Sequence, residues 1–259
     1  MATQKYNKLA GKHVLVIGGT SGIGYSVAEA CLESSASVTI SSSSPDRVSS
    51  CVASLKASYP HSNTPKVSGH VCDLSQPTVE KDIEKLFEAC GQVDHIVFTA
   101  GDKLATIPLQ DATYENIIRA GQVRFIAPLL VAKIGSRYLK NKTAESSIIF
   151  TTGSVAEKPV PGWSVVASFA SGMHGMVRNL AIDLKPVRVN VVSPGAVDTQ
   201  MWNGMPEEAK KGMFKEIAGK VPTGHVGRPE EVAEAYLWLM KDSNVTGFVA
   251  CSDSGSKLV

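Results

Sequence analysis

The sequence predicts an α/β fold in which helices cover both faces of a doubly wound parallel sheet. Short apolar runs alternate with amphipathic runs along the chain, as repeated strand–helix units require. The apolar runs are continuous rather than alternating, which is typical of strands that are covered on both faces. With 259 residues, of which 43% are hydrophobic, residues 1–259 suit a single domain with a full core.

The individual elements follow from the same hydrophobic periods. Strands are predicted at 13–18, 37–41, 67–71, 93–99, 147–152, 187–193 and 247–251, and helices at 22–34, 45–58, 76–89, 111–139, 163–184, 205–218 and 229–241. In such a sheet, ligands bind beyond the carboxyl ends of the strands. The stretch 198–222 is rich in Met, Gly and Lys and lies on that side between two strands, so we expect it to be a mobile lid.

Charge and cysteine content narrow the class of protein. The net charge of +2 is scattered along the chain, which predicts binding to neither nucleic acid nor a membrane surface. The five cysteines lie far apart without a Cys-x-x-Cys pair, so we expect no metal site and no disulfide. Free cysteines fit a reducing compartment. A cytoplasmic protein that acts on a small molecule is therefore expected.

A glycine-rich turn follows the first predicted strand. Gly18, Gly22 and Gly24 lie between an apolar run that ends at Ile17 and an amphipathic run that begins near Ile23. This order points backbone N–H groups and a helix N-terminus at a pyrophosphate, and glycine is required where a Cβ would hold the phosphate away. We therefore predict a dinucleotide site whose turn residues are Gly18, Thr20, Ser21, Gly22, Ile23 and Gly24.

The end of the second predicted strand bears on the choice between NAD(H) and NADP(H). An acidic residue there would bind the ribose 2′-hydroxyl of NAD, but the first acid comes only after Pro45. Hydroxyl groups and a guanidinium stand there instead, and these suit a 2′-phosphate. The same serines would also serve to cap the next helix. The pattern favours NADP(H), with the candidate residues Ser42, Ser43, Ser44 and Arg47.

Three further strand ends carry residues suited to a dinucleotide. Asp73, which precedes Leu74, is placed to accept a hydrogen bond from the adenine amino group, or else to cap a helix. The small residues Thr99, Ala100 and Gly101 would let the backbone approach the cofactor. A Pro-Gly turn after the sixth strand would wrap the nicotinamide carboxamide, and its candidate residues are Pro194, Gly195, Val197 and Thr199.

Together these residues resemble the short-chain dehydrogenase/reductase family. The matching segments run in the family's order along nearly the whole chain: Gly18-x-x-x-Gly22-Ile23-Gly24, Asp73, Ala100-Gly101, Ser154, Arg188-Val189-Asn190, Pro194-Gly195-x-x-x-Thr199 and Gly227-Arg228-Pro229-Glu230-Glu231-Val232-Ala233. The resemblance implies a Rossmann-type sheet of about seven strands and a nicotinamide cofactor. It also implies a homodimer or homotetramer built on the helices predicted at 111–139 and 163–184.

The same resemblance indicates which catalytic groups this chain lacks. The family's usual proton donor is a Tyr, followed four residues later by a Lys that lowers its pKa; here these positions are Val166 and Ala170. The family's catalytic Asn falls at or near Gly121, so only Ser154 remains of the tetrad. The Tyr-x-x-x-Lys of residues 138–142 precedes the strand that leads to Ser154, so it is a chance match.

Loss of the Tyr–Lys pair restricts the chemistry. A ketone needs a proton as hydride arrives, whereas an iminium carbon is already cationic and needs none. Asp102 would offset the charge of a cationic substrate, and Arg124 would reach a phosphate or a substrate carbonyl. His174 is a weaker candidate acid. The structural alternatives are a loop cap for Asp102, an ion pair along the long helix for Arg124 and a place on a helix face for His174.

Further segments resemble a fungal branch of the family that also lacks the Tyr and Lys. They are Lys158-Pro159-x-Pro161-Gly162-Trp163, Arg124-Phe125-x-Ala127-Pro128 and the run from Asp183 to Gly195. The branch includes the NADPH-dependent reductase/Diels–Alderases of bicyclic prenylated indole alkaloid pathways. In those enzymes the residue between the two prolines is acidic, whereas here it is Val160. This difference argues against a cycloaddition role and leaves iminium reduction open.

The leading prediction is an NADPH-dependent reductase of fungal secondary metabolism, of the alkaloid type, that delivers hydride to an iminium-like or activated carbonyl substrate. Ser154 would orient that substrate, with Asp102 and Arg124 as its charged neighbours. One alternative is a non-redox cyclase, Diels–Alderase or isomerase that keeps NADP as part of its pocket. The other is a cofactor-binding regulator without activity.

Overall fold

The parallel sheet expected from the sequence is present in the computed structural model, which describes residues 5–60 and 66–259. Seven strands lie in the order β3-β2-β1-β4-β5-β6-β7 within these residues, and every neighbouring pair is parallel. The order reverses between β1 and β4, which makes the gap between them the switch point of a doubly wound sheet. The strands are β1 His13–Ile17, β2 Ser37–Ser42, β3 Val67–Val71, β4 His95–Phe98, β5 Ser147–Thr151, β6 Arg188–Pro194 and β7 Val249–Ser252.

Helices cover both faces of this sheet. Because side chains alternate along a strand, Val14 and Val16 of β1 enter one core cluster, while Leu15 and Ile17 enter the other. Each cluster is closed by the apolar face of several helices, which is why the strands read as continuously apolar. The helices are α1 Gly22–Glu33, α2 Pro45–Ser58, α3 Val79–Cys90, α4 Tyr114–Gly121, α5 Ala127–Gly135, α6 Ser164–Asp183, α7 Glu207–Lys220 and α8 Pro229–Lys241.

The helix predicted at 111–139 is shorter and less regular than expected. It begins at Tyr114, after a capping box in which the backbone N–H of Asn116 donates to Thr113 Oγ1 over 3.3 Å, and it ends at Gly135. Between α4 and α5, residues 122–126 form a π-helical segment. Pro128 gives a physical cause, since it has no N–H and its ring crowds the carbonyl of the residue four positions earlier.

Two buried polar side chains of the sheet, those of Arg188 and His95, have hydrogen-bond partners. Arg188 is buried and donates to four backbone oxygens, of which those of Leu239 and Met240 lie at the C-terminal end of α8. It thereby satisfies carbonyls that a helix end leaves without a partner. His95, only 1% exposed, lies 2.9 Å from Ser147 Oγ through its Nδ1. Burial, assisted by the charge of Arg188, lowers the pKa of His95 from 6.5 to about 3.

Two classes of feature are absent from the described residues. None of the helices in residues 5–60 and 66–259 is both long and apolar enough to cross a membrane. Over the same ranges, no group of three or more His, Cys, Asp or Glu side chains is placed to hold a metal ion.

His95 predicts a loss of stability in acid. The unfolded chain takes up a proton near pH 6.5, whereas the folded chain resists it down to about pH 3, so acid favours unfolding within that window. At pH 5 this one group should lower the free energy of unfolding by about 2 kcal/mol relative to pH 8. Urea unfolding at both pH values measures the difference. His95→Gln should reduce it by that amount, and an unchanged difference would contradict the assignment.

Candidate functional site

A large cleft opens at the carboxyl ends of the strands, where the strand order reverses. Its volume is about 1040 Å³, at the upper end of the range of roughly 300–1,000 Å³ typical of small-molecule sites. The turns after β1, β4, β5 and β6 form its floor, and α6 and residues 199–217 form its outer wall. It therefore has room for a dinucleotide and a second molecule.

The turn after β1 approaches the neighbouring backbone closely. Gly18 has a φ of +91°, and a Cβ there would lie 2.4 Å from the backbone nitrogen of Ala100. A Cβ on Gly24 would lie 2.3 Å from the oxygen of Gly18. α1 begins directly after this turn, and Ser21, at its N-cap, makes no side-chain capping bond. The first N–H groups of α1 thus have no capping side chain, as an anion-binding helix end requires.

All six predicted turn residues line the cleft. The cradle has no room for side chains at Gly18 and Gly24, so backbone and helix dipole face the space directly. This arrangement fits the pyrophosphate of a dinucleotide cofactor.

The serine cluster after β2 divides between two roles. Ser42, Ser43 and Arg47 line the cleft, and Arg47 Nη2 donates to Ser43 Oγ over 3.3 Å. Ser44 is not among the lining residues; its Oγ accepts a hydrogen bond from the backbone N–H of Arg47 and caps α2. Arg47 is exposed, and no carboxylate within the described residues pairs with it. Its charge is available for an anionic ligand.

Asp73 and Leu74 line the cleft beyond β3. The carboxylate of Asp73 accepts from the Ser75 backbone N–H over 3.0 Å, from Ser75 Oγ over 2.7 Å and from Gln76 Nε2 over 2.8 Å. Burial alone would raise the pKa of Asp73, but these hydrogen bonds from Gln76 and Ser75 lower it overall. Asp73 is therefore ionised and already organises the turn, although α3 begins only at Val79.

Asp102 and Arg124 form an ion pair at the mouth of the cleft. Arg124 Nε donates to Asp102 Oδ1 over 3.0 Å, and its Nη2 donates to the backbone oxygen of Asp102. The guanidinium lies over Gly101, where a Cβ would come within 2.8 Å of Nη2. Burial lowers the pKa of Arg124, and the charge of Asp102 opposes that shift. Arg124 therefore pairs with the loop after β4 rather than with a residue of its own helix, and the charge of Asp102 is compensated.

Apolar side chains occupy the positions where the family resemblance predicts the proton-donating Tyr and its Lys. Val166, Phe169 and Ala170 of α6 all line the cleft. A Cβ on Gly121 would lie 2.6 Å from the ring of Phe169, which also packs against Phe125 with ring centroids 5.5 Å apart. An Asn side chain at Gly121 would therefore collide with this ring.

Ser154 and His174 have different placements. Ser154 begins a 3₁₀ turn at Ser154–Ala156 and lines the cleft. His174 is not among the lining residues, and its Nε2 is buried without a hydrogen-bond partner. Burial lowers the pKa of His174. The structure thus brings Ser154, Asp102 and Arg124 to one cleft and leaves His174 outside it.

The predicted lid contributes an aromatic wall. Trp202 Nε1 donates to the backbone oxygen of Val197 over 2.8 Å. The ring of Trp202 packs edge-on against that of Phe214, with ring centroids 6.2 Å apart. Lys210 pairs with Asp198 over 2.7 Å. α7 has no buried residue, so few apolar contacts hold it down. Pro194, Gly195, Val197, Thr199 and, in the earlier turn, Thr99, Ala100 and Gly101 line the same cleft.

Sequence reasoning missed several lining residues. Phe169 and Met173 lie three and seven positions beyond Val166, so the helical period counted from Val166 would have found them. Met213 and Ile217 lie four apart on α7 and could have been found in the same way. The sequence carries no such signal for the contact of Lys158 with residues near Val259.

Known proteins match this chain over nearly its whole length. A family model described as an SDR-like Rossmann domain matches residues 5–259. The chain is 43% identical to the short-chain dehydrogenase/reductase fsr5 of Gibberella fujikuroi, with 97% of each chain covered. It is 41% identical to the short-chain dehydrogenase/reductase malC of Malbranchea aurantiaca, with 96% of each covered.

Solved structures agree with these matches. The structure of the MalC reductase/Diels–Alderase from Malbranchea aurantiaca has a TM-score of 0.92 and 40% identity, covering 99% of this chain and 100% of that one. A small-chain dehydrogenase in complex with NADPH has a TM-score of 0.78 and 28% identity, covering 96% and 100%. The chain belongs to the short-chain dehydrogenase/reductase family.

Proposed function

We propose that this protein is a reductase of fungal secondary metabolism, of the alkaloid type, that transfers hydride to a carbon already made electron-poor, either iminium-like or in an activated carbonyl compound. The observation that carries the proposal is the apolar wall of Val166, Phe169 and Ala170. A simple ketone needs a proton donor there, because the alkoxide that forms is strongly basic. Similarity to two fungal proteins named as reductases supports the metabolic setting.

Each group on the cleft receives a role in this proposal. Bound NADPH supplies the hydride. The turn from Gly18 to Gly24 and the N-terminus of α1 would hold the pyrophosphate, Asp73 and Leu74 would contact the adenine, and the Pro194–Thr199 turn would contact the nicotinamide. Ser154 orients the substrate through its hydroxyl. Arg124, held by Asp102, offers the N–H groups left over from that pair to a substrate oxygen or a phosphate.

A cyclisation without net redox change is the second candidate. Large apolar and aromatic side chains, including Trp163, Phe169 and Trp202, surround the substrate space, and such a surface suits the folding of a flexible apolar substrate. The similarity to a protein described as a reductase/Diels–Alderase favours the same reading. Val160, at the turn before Trp163, lines the cleft as an apolar residue and supplies no acid to such a reaction.

The oligomeric state is also a proposal. Large apolar side chains of Leu109, Tyr114, Ile118 and Leu129 are exposed on the segment that contains α4 and α5; Tyr114 is 75% exposed. Several large apolar side chains exposed on one segment are typical of an interaction surface. We propose that this surface pairs two copies of the chain in a homodimer, or in a homotetramer that contains it.

Substitution of Arg47 tests the choice of cofactor. Arg47→Ala removes the guanidinium proposed to bind the 2′-phosphate, and one charge-assisted contact contributes roughly 1.5–3 kcal/mol. We expect the Kd for NADPH to rise about 10- to 100-fold and the Kd for NADH to stay unchanged, both measured by nicotinamide fluorescence. Arg137→Ala removes another exposed guanidinium, paired with Glu84, and is the control. An equal loss for both cofactors would contradict the role.

A panel of acceptors tests hydride transfer. With NADPH deuterated at C4, we expect deuterium to enter N-methyl-3,4-dihydroisoquinolinium, or 1,4-naphthoquinone to be reduced to its hydroquinone as NADPH is oxidised. We expect acetophenone to remain unreduced because no phenol donates a proton. Mass spectrometry of the products and NADPH absorbance measure the outcome. NADPH that binds and is never oxidised would favour the non-redox candidate. Rapid reduction of acetophenone would show that another acid replaces the tyrosine.

Charge on the exposed apolar surface tests the oligomer. Tyr114→Glu with Ile118→Glu places two carboxylates on one face of α4, where they would be desolvated in an interface. We expect the molar mass from light scattering to fall to that of one chain while circular dichroism stays unchanged. Tyr6→Glu, at another exposed aromatic residue, is the control. A molar mass that the double variant leaves unchanged would place any interface elsewhere.

A further inference from the structure

More positively charged than negatively charged side chains line the substrate side of the cleft. Three cations, Lys103, Arg124 and Lys158, line it, and Asp102 is the one carboxylate among the described residues there. Asp102 is already paired with Arg124, whose Nε lies 3.0 Å from Asp102 Oδ1. The cationic side chains that line this side therefore outnumber the anionic ones.

Lys158 is the better placed of these lysines. Its backbone N–H donates to the oxygen of Ser154 over 2.8 Å, so its position is tied to the serine proposed to orient the substrate. Its Nζ donates to the backbone oxygens of Ser256, over 2.6 Å, and Val259. No side-chain carboxylate in residues 5–60 and 66–259 lies within ion-pair distance of this ammonium. An ammonium has three N–H donors, so one remains for a ligand.

The space around Lys158 extends beyond the main cleft. A side pocket of about 180 Å³ adjoins the cleft and shares Ser154, Lys158 and Ala196 with it. An oxygen substituent of a substrate has room to reach the ammonium at this junction. The flat rings of Trp163, Phe169 and Trp202 also line the cleft, and they suit a planar conjugated skeleton.

We propose that Lys158 binds a carbonyl or anionic oxygen of the substrate, and that the hydride acceptor is a conjugated carbonyl compound, of the enone or quinone class, rather than an iminium cation. This inference rests on the proposed hydride transfer and chooses between its two acceptor classes. A cationic substrate would enter a region of like charge, whereas an oxygen that gains negative charge during the reaction is stabilised by an ammonium already in place.

The reaction then balances without a phenol. Hydride forms a C–H bond at the β-carbon of the enone, the C=C π pair shifts, and the two electrons reach the carbonyl oxygen as an enolate. The enone is reduced by two electrons as NADPH becomes NADP⁺. The Lys158 ammonium offsets the enolate charge, and a proton from water completes the product. An enolate oxygen is a much weaker base than an alkoxide, which agrees with Val166 in the cleft wall.

Binding of two probes that share a skeleton tests the charge preference. Isothermal titration of the NADP⁺-saturated protein with 2-naphthoate and with 2-naphthylmethylammonium should give a Kd at least about tenfold lower for the anion. Lys158→Met should weaken naphthoate binding about tenfold, and Lys158→Arg should restore most of it because the charge is kept. Lys140→Met is the matched control, since Lys140 donates its backbone N–H to Val93 at the amino ends of the strands.

Two results would overturn the inference. One is a lower Kd for the cation than for the anion with the unaltered protein, and the other is a Kd for naphthoate that Lys158→Met leaves unchanged. If Lys158→Met unfolds, the Kd values of the two probes for the unaltered protein and for Lys158→Arg still test the charge preference.

Reduction rates separate this inference from the proposed function. Faster reduction of N-methyl-3,4-dihydroisoquinolinium than of 1,4-naphthoquinone overturns the enone class and leaves hydride transfer standing. Reduction of neither, with Lys158-dependent naphthoate binding, overturns hydride transfer and leaves the oxygen-binding role of Lys158 standing.

Discussion

The close approach between the turn after β1 and the end of β4 is the constraint on which the cleft depends. Any Cβ at Gly18 would come within 2.4 Å of Ala100, closer than nonbonded carbon and nitrogen atoms can approach. The same contact region places Thr99 Oγ1 3.1 Å from the oxygen of Ile17. Because these backbones meet without side chains between them, α1 begins directly at the cleft with its N–H groups facing the ligand space.

A second constraint shapes the opposite wall. Pro128 crowds the carbonyl of Arg124 four residues earlier, and the helix accommodates it with the π-helical turn at 122–126. That turn changes the direction of the side chains within it, and the guanidinium of Arg124 comes to lie over Gly101 and against Asp102. The cation of the ion pair therefore lies within the irregular turn of this helix. The ion pair also explains why Asp102, although exposed, is not a free negative charge for a substrate.

The features of the fold that could be predicted from the sequence are those that depend on local residue patterns. All seven strands and the turn of Gly18 to Gly24 were predictable, because apolar runs and glycines encode them directly. The π-helical turn was not, since a proline inside a periodic helix also permits a plain kink or an end. The partner of Arg124 and the burial of the His174 Nε2 atom depend on which elements meet in space. Ser44 was ambiguous by chemistry, because one hydroxyl suits both a phosphate and a helix cap, and the structure has it as the cap.

The missing tyrosine belongs to a larger repacking of α6 against α4 and the π-helical turn. The ring of Phe169 fills the space that a side chain at Gly121 would need, and it packs on Phe125. A polar residue restored at one of these positions would face apolar neighbours without a partner, at a cost of about 1–3 kcal/mol. The apolar side chains of this wall together leave no place for a proton relay. The difference from the family pattern is therefore larger than the loss of one tyrosine. In the proposed hydride transfer, activation of the acceptor would come from the substrate's own electronic structure and from the cations that line the cleft, which are Arg124, Lys103 and Lys158.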